Sequence, residues 1–497
     1  MGDMNAEERI AELEAKVAEL LAEKAAWQGE AKELREQLAH TLAQIGQLLA
    51  RVHELEGRLA KDSHSSSKPP SSDGLARKTR SQREASGKKS GGQPGHEGHH
   101  LKLVETPDEV TRHRPSHCQQ CQQSLEGVEG EIVERRQVQD LPPVRLVVAE
   151  HQVEEVRCPH CQQMSRGSFP EGVSAPAQYG TGVKALAVYL HQYQLVSMER
   201  TAEVLQDVCG CRISEGTLVS WEQEAASRLE PTVEQIAERV ACSRLQHADE
   251  TGMRLGGKLH WIHVNSTRFL THLAWHKKRG RTALEAIAIW PRFRGRAMHD
   301  RWKSYDSYDC EHSVCCAHLV RELTYLSEHD HQEWAADLKY LVLSMHAAAQ
   351  QWREQGACCV PPEERDAWVA QYFEILTHGY ATQPLPPTQA PPPRKKGRPK
   401  QSAAKNLLDD LLRRADQVLA FLDDLSIPFT NNQAERDLRM VKVQQKIAAT
   451  FRTEAGATAF CHIRSYLSTM RKQGHAMLHS LSAAFAGRPL PIAWATG

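Results

Sequence analysis

The stretch HADETGM, residues 247–253, lies in a segment that alternates as a β-strand does, yet it carries two adjacent carboxylates, Asp249 and Glu250, where a strand would enter a core. Acidic residues also mark ordinary strand ends and turns, so the pair alone decides nothing. The surrounding segments decide it. RLQHADETGMRL (244–255), KLHWIHVNST (258–267) and FLTHLAWH (269–276) read as three strands joined by short turns. A helix-like RTALEAIAIW (281–290) follows, and then a short strand, GRAMHD (295–300), ending at Asp300. Three antiparallel strands, a helix and a further strand, with one Asp on the first strand and another at the end of the fourth, is the element order of an RNase H-like fold. In that fold the two carboxylates meet at the middle of the sheet and a third acid on a later helix joins them. Alternation puts Asp249 on the face of His247 and Thr251, which makes it the candidate ligand. Glu250 faces the other way, as a residue behind the site or on the surface.

A third acid is found in TNNQAERDLRMVKVQQKI (430–447), an amphipathic helix that starts near Asn431 or Asn432. Glu435 shares a face with Arg439, Lys442 and Lys446, so a carboxylate is followed by a row of cations. Asn432 and Glu435 also fit a helix-capping box, an ordinary explanation for that glutamate. The case rests on the three acids together. Three carboxylates are what two Mg2+ or Mn2+ ions need, because hard cations prefer oxygen ligands and a metal pair suits in-line phosphoryl transfer.

At 497 residues the chain exceeds one ordinary domain. Lys plus Arg balance Asp plus Glu at 62 each, so only the distribution of charge is informative. The N-terminal segment has no apolar core of a signal peptide, and no apolar run approaches the roughly 20 residues of a membrane span, which predicts a soluble, unsecreted protein. The 13 cysteines include two CxxC pairs and suit a reducing compartment better than a disulfide framework.

Residues 1–60 carry an a/d heptad from Ile10 to Leu59 with polar breaks at Lys24 and Thr41, which predicts a coiled coil and a homo-oligomer; one packed helix is the alternative. Residues 61–102 form a Ser/Gly/Pro-rich linker with nine Lys/Arg against four Asp/Glu, a basic tether able to touch phosphates. Between 103 and 175, HCQQC supplies Cys118 and Cys121, and RCPHC supplies Cys158 and Cys161. Two such knuckles complete a tetrahedral thiolate shell for structural Zn2+, with strand-like sequence between them, so a zinc ribbon is expected. A redox-active pair is the competing reading, and His117 and His160 are weaker ligand candidates. Residues 176–240 read as helices, with MERTAEVLQDVCGCRISEGTLVSWEQEA (198–225) shaped like a helix-turn-helix or an ordinary packed pair.

The chain resembles transposases of the insertion sequence 66 family, within the DDE class. The resemblance is carried by SSSKPPSSDG, GGQPGHEGH, the two CxxC pairs, HADETGM, CCAH and NNQAERDLR, which occur in the family's order over nearly the whole length. It implies a catalytic triad of Asp249, Asp300 and Glu435, zinc on the four cysteines, and a helical insertion between the second and third acids. The segments are then an RNase H-like first part at 241–310, an insertion at 311–425, and the glutamate helix with C-terminal helices at 426–497. Two departures from the family pattern stand out. HDRWKSYDSYD (299–309) has Arg301 and Trp302 where the family has small residues, which leaves Asp306 and Asp309 as substitutes for Asp300. CCAH has Cys316 in place of an aromatic, which leaves Cys315 and His318 open between a metal pair and core residues. Within the insertion, PPTQAPPPRKKGRPKQSAAK reads as an exposed Pro-flanked loop whose KKGRPK resembles an AT-hook, so Arg394, Lys395, Lys396, Arg398 and Lys400 join Arg439, Lys442 and Lys446 as DNA-contact candidates.

The expected protein is multidomain: coiled coil, zinc ribbon, helix-turn-helix-like region and an α/β RNase H-like catalytic domain interrupted by an all-helical insertion. Its expected partners are DNA, further copies of itself and small accessory proteins of the same element, in the bacterial cytoplasm at the nucleoid. The competing functions are a noncatalytic zinc-containing DNA-binding regulator and an RNase H-like nuclease without strand transfer.

Overall fold

The computed structural model describes residues 6–60, 101–142, 144–383, 401–448 and 450–493. Most of the basic linker and all of the AT-hook-like segment lie outside the described residues. The described chain divides into two compact units. One comprises residues 1–82 and 313–430, the other residues 83–312 and 431–497.

The first unit begins with α1 (Ala6–Ala60), a single helix whose heptad residues are on its surface; Ile10, Leu13, Val17 and Leu20 are each more than half exposed. An apolar stripe of this kind is what a coiled-coil seam consists of.

The second unit begins with the cysteine-rich segment. Among its described residues the paired strands are β1 (Glu155–Arg157) and β2 (Met164–Arg166), an antiparallel hairpin around the second CxxC. The sequence between the two cysteine pairs is strand-like in composition, but the described residues of 126–154 lie in no strand. Val133, Val138, Val147 and Val148 are almost fully exposed, so alternation without a surface to cover has not made a sheet.

A helical layer follows: α2 (Thr181–Val188) continuing into a π-helical turn (Tyr189–Tyr193), α3 (Met198–Cys209) and α4 (Glu215–Ala241). Ser197 and Ser214 cap α3 and α4, each accepting a bond from the amide three residues on. Gly210 ends α3 in the left-handed region with φ 68°, which a Cβ would disfavour. The expected helix pair is present, but α4 buries Leu218, Trp221, Ala225, Leu229, Ile236 and Val240 along its length. These side chains share one core with the C-terminal helices, so residues 176–240 are part of the second unit's body.

The sheet consists of β3 (Leu245–Leu255), β4 (Lys258–Ser266), β5 (Thr271–His276), β6 (Arg296–His299) and β7 (Glu311–Val314), in the spatial order β5-β4-β3-β6-β7. Its first three strands are antiparallel and β6 runs parallel to β3, so the sheet is mixed. The crossover from β5 to β6 contains α5 (Arg281–Ile287), which stops at Ala288 with φ 61°, short of the expected Trp290. The short edge strand β7 was not foreseen; it begins where the chain turns into the first unit.

Residues 313–430 then form α6 (Cys316–Glu328), α7 (Glu333–Glu354), α8 (Pro362–Ala381), α9 (Ala403–Arg413) and α10 (Ala415–Asp423). Gly379 of α8 lies so close to its neighbours that a Cβ would sit 2.8 Å from Leu408 and 3.0 Å from Trp334. The chain returns to the second unit with α11 (Asn432–Ala448), α12 (Glu454–Lys472) and α13 (Met477–Phe485). Ala434, Leu438 and Val441 of α11 pack on Met253, Leu255, Ile262 and Val264 of the sheet. Each of the leucine, valine, isoleucine and methionine side chains contributes about 1.5–3 kcal/mol by leaving water, which fixes α11 against the Asp249 face.

Candidate active site

β3 and β6 pair with His247 opposite Met298. Continued by two residues, past the end of β6, that register would point Asp249 and Asp300 to the same face. Ala248 and Ala297 share the opposite face, in a core with Leu284, Trp290, Phe293 and Tyr305. Asp249 Oδ1 accepts the Glu250 N–H at 2.8 Å, and Asp300 Oδ1 accepts the Trp302 N–H at 3.1 Å. The latter is a turn closed by an aspartate side chain, and it accommodates Arg301 at φ 69°.

Glu435 comes from α11, and two anchors hold that helix. Asn431 Nδ2 donates to the Ala248 carbonyl at 2.8 Å, and its Oδ1 pairs with His247 Nδ1 at 2.9 Å. The Glu435 N–H donates to the Asn431 carbonyl at 3.2 Å, so Glu435 stands one turn from a residue bonded next to Asp249. The second anchor is Asp437, whose Oδ2 accepts from Thr271 at 3.1 Å, Gln433 at 3.1 Å and Lys472 at 2.9 Å. Burial holds the Lys472 ammonium below its ordinary pKa and the His247 imidazole at about 4. Asn431, His247 and Asp437 were missed as site-building residues. The signal available was the doubled Asn and the ERD triplet of NNQAERDLR.

The opposite face of β3 carries Glu250, which is buried, and this corrects the surface alternative. Its carboxylate accepts the Tyr305 hydroxyl at 2.5 Å and Arg279 Nε at 2.7 Å. Burial, and then the Asp300 charge, raise the Glu250 pKa. Arg279 is stacked between Trp261 and Trp302, with ring centroids 4.9 and 4.4 Å from its guanidinium carbon. Trp302, an oddity in sequence, is thus one side of an arginine sandwich. Asp306 and Asp309 are exposed, on and after the turn Tyr305–Ser307, beyond the end of β6.

Of the α11 cations, Arg439 and Lys446 are exposed, whereas Lys442 Nζ donates to the Gly252 carbonyl at 2.8 Å. Arg394, Lys395, Lys396, Arg398 and Lys400 lie outside the described residues. In the first unit, Cys315 is buried before α6, and its sulfur lies within 4.8 Å of a ring nitrogen of His318. Cys316 is a core residue whose thiol faces the Val314 and Val418 carbonyls.

The two CxxC pairs fold alike. Cys118 N–H donates to Gln123 O and Gln122 N–H to Cys118 O, and the same bonds link Cys158, Gln163 and Gln162. Gln122 and Gln162 both take φ 60°. In each knuckle backbone amides of the following residues lower the pKa of the first thiol, an environment suited to a thiolate. Among the described residues the four sulfurs stand as two separate pairs, with no ligating group of three or more drawn from them.

Residues 176–459, more than half the chain and all three acids, match the sequence model of the IS66 family of transposases. The chain belongs to that family. Residues 4–102 match a second model, described as a family of unknown function (DUF6444). No curated protein matches the chain. Membership of the IS66 family assigns it to transposition, an activity that cuts and transfers DNA, binds DNA and uses divalent metal. No described helix is long and apolar enough to cross a membrane.

Proposed function

We propose that this IS66-family protein cleaves DNA at the ends of its element and joins the freed 3′ hydroxyls to target DNA, through an RNase H-like domain of the DDE class. The reading is supported by the parallel register of β3 on β6, with His247 opposite Met298, and by α11 on the Asp249 face, whose Asn431 is bonded one residue from Asp249 and one turn from Glu435. The element order supports the fold assignment: three antiparallel strands, a crossover and a parallel fourth strand beside the first.

The donor set fits hard divalent cations, since Asp249, Asp300 and Glu435 all offer carboxylate oxygens. Two Mg2+ or Mn2+ ions held there would neutralise charge on the phosphate and activate the attacking oxygen. The protein's own part is positioning. Asn431 and Asp437 fix α11, the Trp302 amide orients Asp300, and the Glu250–Arg279–Tyr305 cluster supports the strand from behind. Arg439 and Lys446, exposed along the helix that carries Glu435, are the proposed phosphate contacts.

Cys118, Cys121, Cys158 and Cys161 are proposed to hold one structural zinc, supported by the matching knuckles and their amide-stabilised first sulfurs. The exposed heptad stripe of α1 supports self-association through a coiled coil. The basic residues 394–400 keep their assignment as DNA contacts on sequence alone.

Precleaved end DNA, a supercoiled target and Mn2+ test the reading. Joined products are expected. Cleaved but unjoined DNA would instead indicate a nuclease, and binding without cleavage a regulator.

A further inference from the structure

Away from the three acids, α11 and β3 run side by side in the same direction. Three points fix their alignment: Asn431 on Ala248, Lys442 on Gly252, and, just past the helix, Phe451 bridging the end of β3 through its N–H to Arg254 O and its carbonyl to Gly256 N–H, both at 3.0 Å. The next residue, Arg452, stands beside the β3–β4 turn. There, an open cavity of about 350 Å³ is lined by Lys258, His260, Lys277, Arg452 and Glu454, with Leu255 and Gly256.

The lining carries three full positive charges against one carboxylate. Glu454 pairs with Lys277 at 3.1 Å, and both side chains are more than half exposed. His260 is buried, and its Nδ1–H donates to the Lys258 carbonyl at 3.1 Å, which fixes the backbone that presents Lys258. On the way from the acids to this cavity, the exposed side of α11 presents Arg439 and Lys446.

We propose that this cavity is a subsite for a backbone phosphate of bound DNA, held at a fixed spacing from the carboxylates. The six residue steps from Asp249 to Leu255 span roughly 20 Å at ~3.3 Å per residue. That equals about six base pairs of duplex. DNA with its reacting phosphate at the acids and its axis along α11 brings a phosphate of the opposite strand, about six base pairs away, to Arg452, Lys258 and Lys277, because six base pairs is over half of a turn of about 10.5. A polyanion fits better than a small anion, because the cations are exposed at an open mouth and continue along the helix. The spacing rests on the proposed acids; the phosphate site itself does not.

The test uses the full chain without metal and a duplex of arbitrary sequence. Replacing Arg452 and Lys258 together by Gln should lower the salt dependence of log Kd by about 0.9, the value for one lost phosphate contact. The charge-conserving pair Arg452→Lys and Lys258→Arg should keep the wild-type slope, which separates charge from folding. A methylphosphonate scan of end DNA should then show interference on the opposite strand about six base pairs from the cut, lost selectively in Arg452→Gln. An unchanged slope in a folded Gln double variant overturns the subsite, and so does competition by inorganic phosphate at micromolar concentration. A reduced slope with interference in another register keeps the subsite and counts against the acids named above.

Discussion

Asn431 is bonded to the carbonyl of Ala248 at 2.8 Å, which ties the start of the glutamate helix to the strand position beside Asp249. Its other side-chain atom holds His247 at 2.9 Å. Both partners are buried, so Asn431→Ala leaves a backbone acceptor and a ring donor without it. Each such group costs about 1–3 kcal/mol. Urea unfolding should record the loss, and DNA cleavage should fall more than DNA affinity because α11 loses its alignment to the strand.

Glu250→Gln is not a neutral control for Asp249→Asn. The amide retains a bond to Tyr305 but removes the anion that faces Arg279. Breaking a buried pair costs about 3–5 kcal/mol, but the arginine side chain is 40% exposed, and water reduces the cost to about 1–2 kcal/mol. The double variant with Arg279→Gln should recover part of that loss in urea unfolding; additive losses would mean the two residues are not coupled.

Acid should destabilise the sheet. Burial lowers the His263 and His272 pKa values to about 4 from an ordinary 6.5. Their neutral forms belong to the fold, so between pH 6.5 and 4 the unfolded chain binds more protons. Stability present above pH 6.5 is therefore lost as pH falls, by about 2 kcal/mol for each histidine at pH 5. His272→Gln should remove one share of that slope from urea midpoints measured between pH 7 and 5.

For the cysteine knuckles, freshly purified, reduced protein should contain one zinc per chain. Cys118→Ser should abolish the stoichiometry and loosen residues 103–175 to proteolysis, while the sheet stays folded. Zinc-free wild-type protein would defeat the assignment.

The strands of the sheet were legible because HADETGM, HWIHVNS and THLAWH alternate strongly and are separated by turn residues. Asp249, Asp300 and Glu435 were chosen as a set through element order and family resemblance, and they remain the proposed acids. Glu250 was not, because alternation gives a face but not what covers it, and its cover, Tyr305 and Arg279, comes from separate loops. The same holds for Asn431, bonded to His247 and Ala248, and for the Asp437 bond to Thr271, because these partners lie over a hundred residues away in the chain. Between the cysteine pairs the reading went the other way: a strand-like composition suggested strands, but Val133, Val138, Val147 and Val148 are almost fully exposed and lie in no paired strand.

The most direct measurement is cleavage of end DNA by Asp249→Asn, Asp300→Asn and Glu435→Gln, with binding to the same DNA followed in parallel. These changes keep shape and remove anionic oxygen, so each should slow cleavage at least about a hundredfold, the effect of losing one strong transition-state contact of roughly 3 kcal/mol. Binding should persist, because removing negative charge does not weaken attraction to phosphate. Asp306→Asn and Asp309→Asn should cut normally. An active Asp300→Asn beside an inactive Asp306→Asn or Asp309→Asn would move the second acid, and normal cleavage by all three variants would contradict the account.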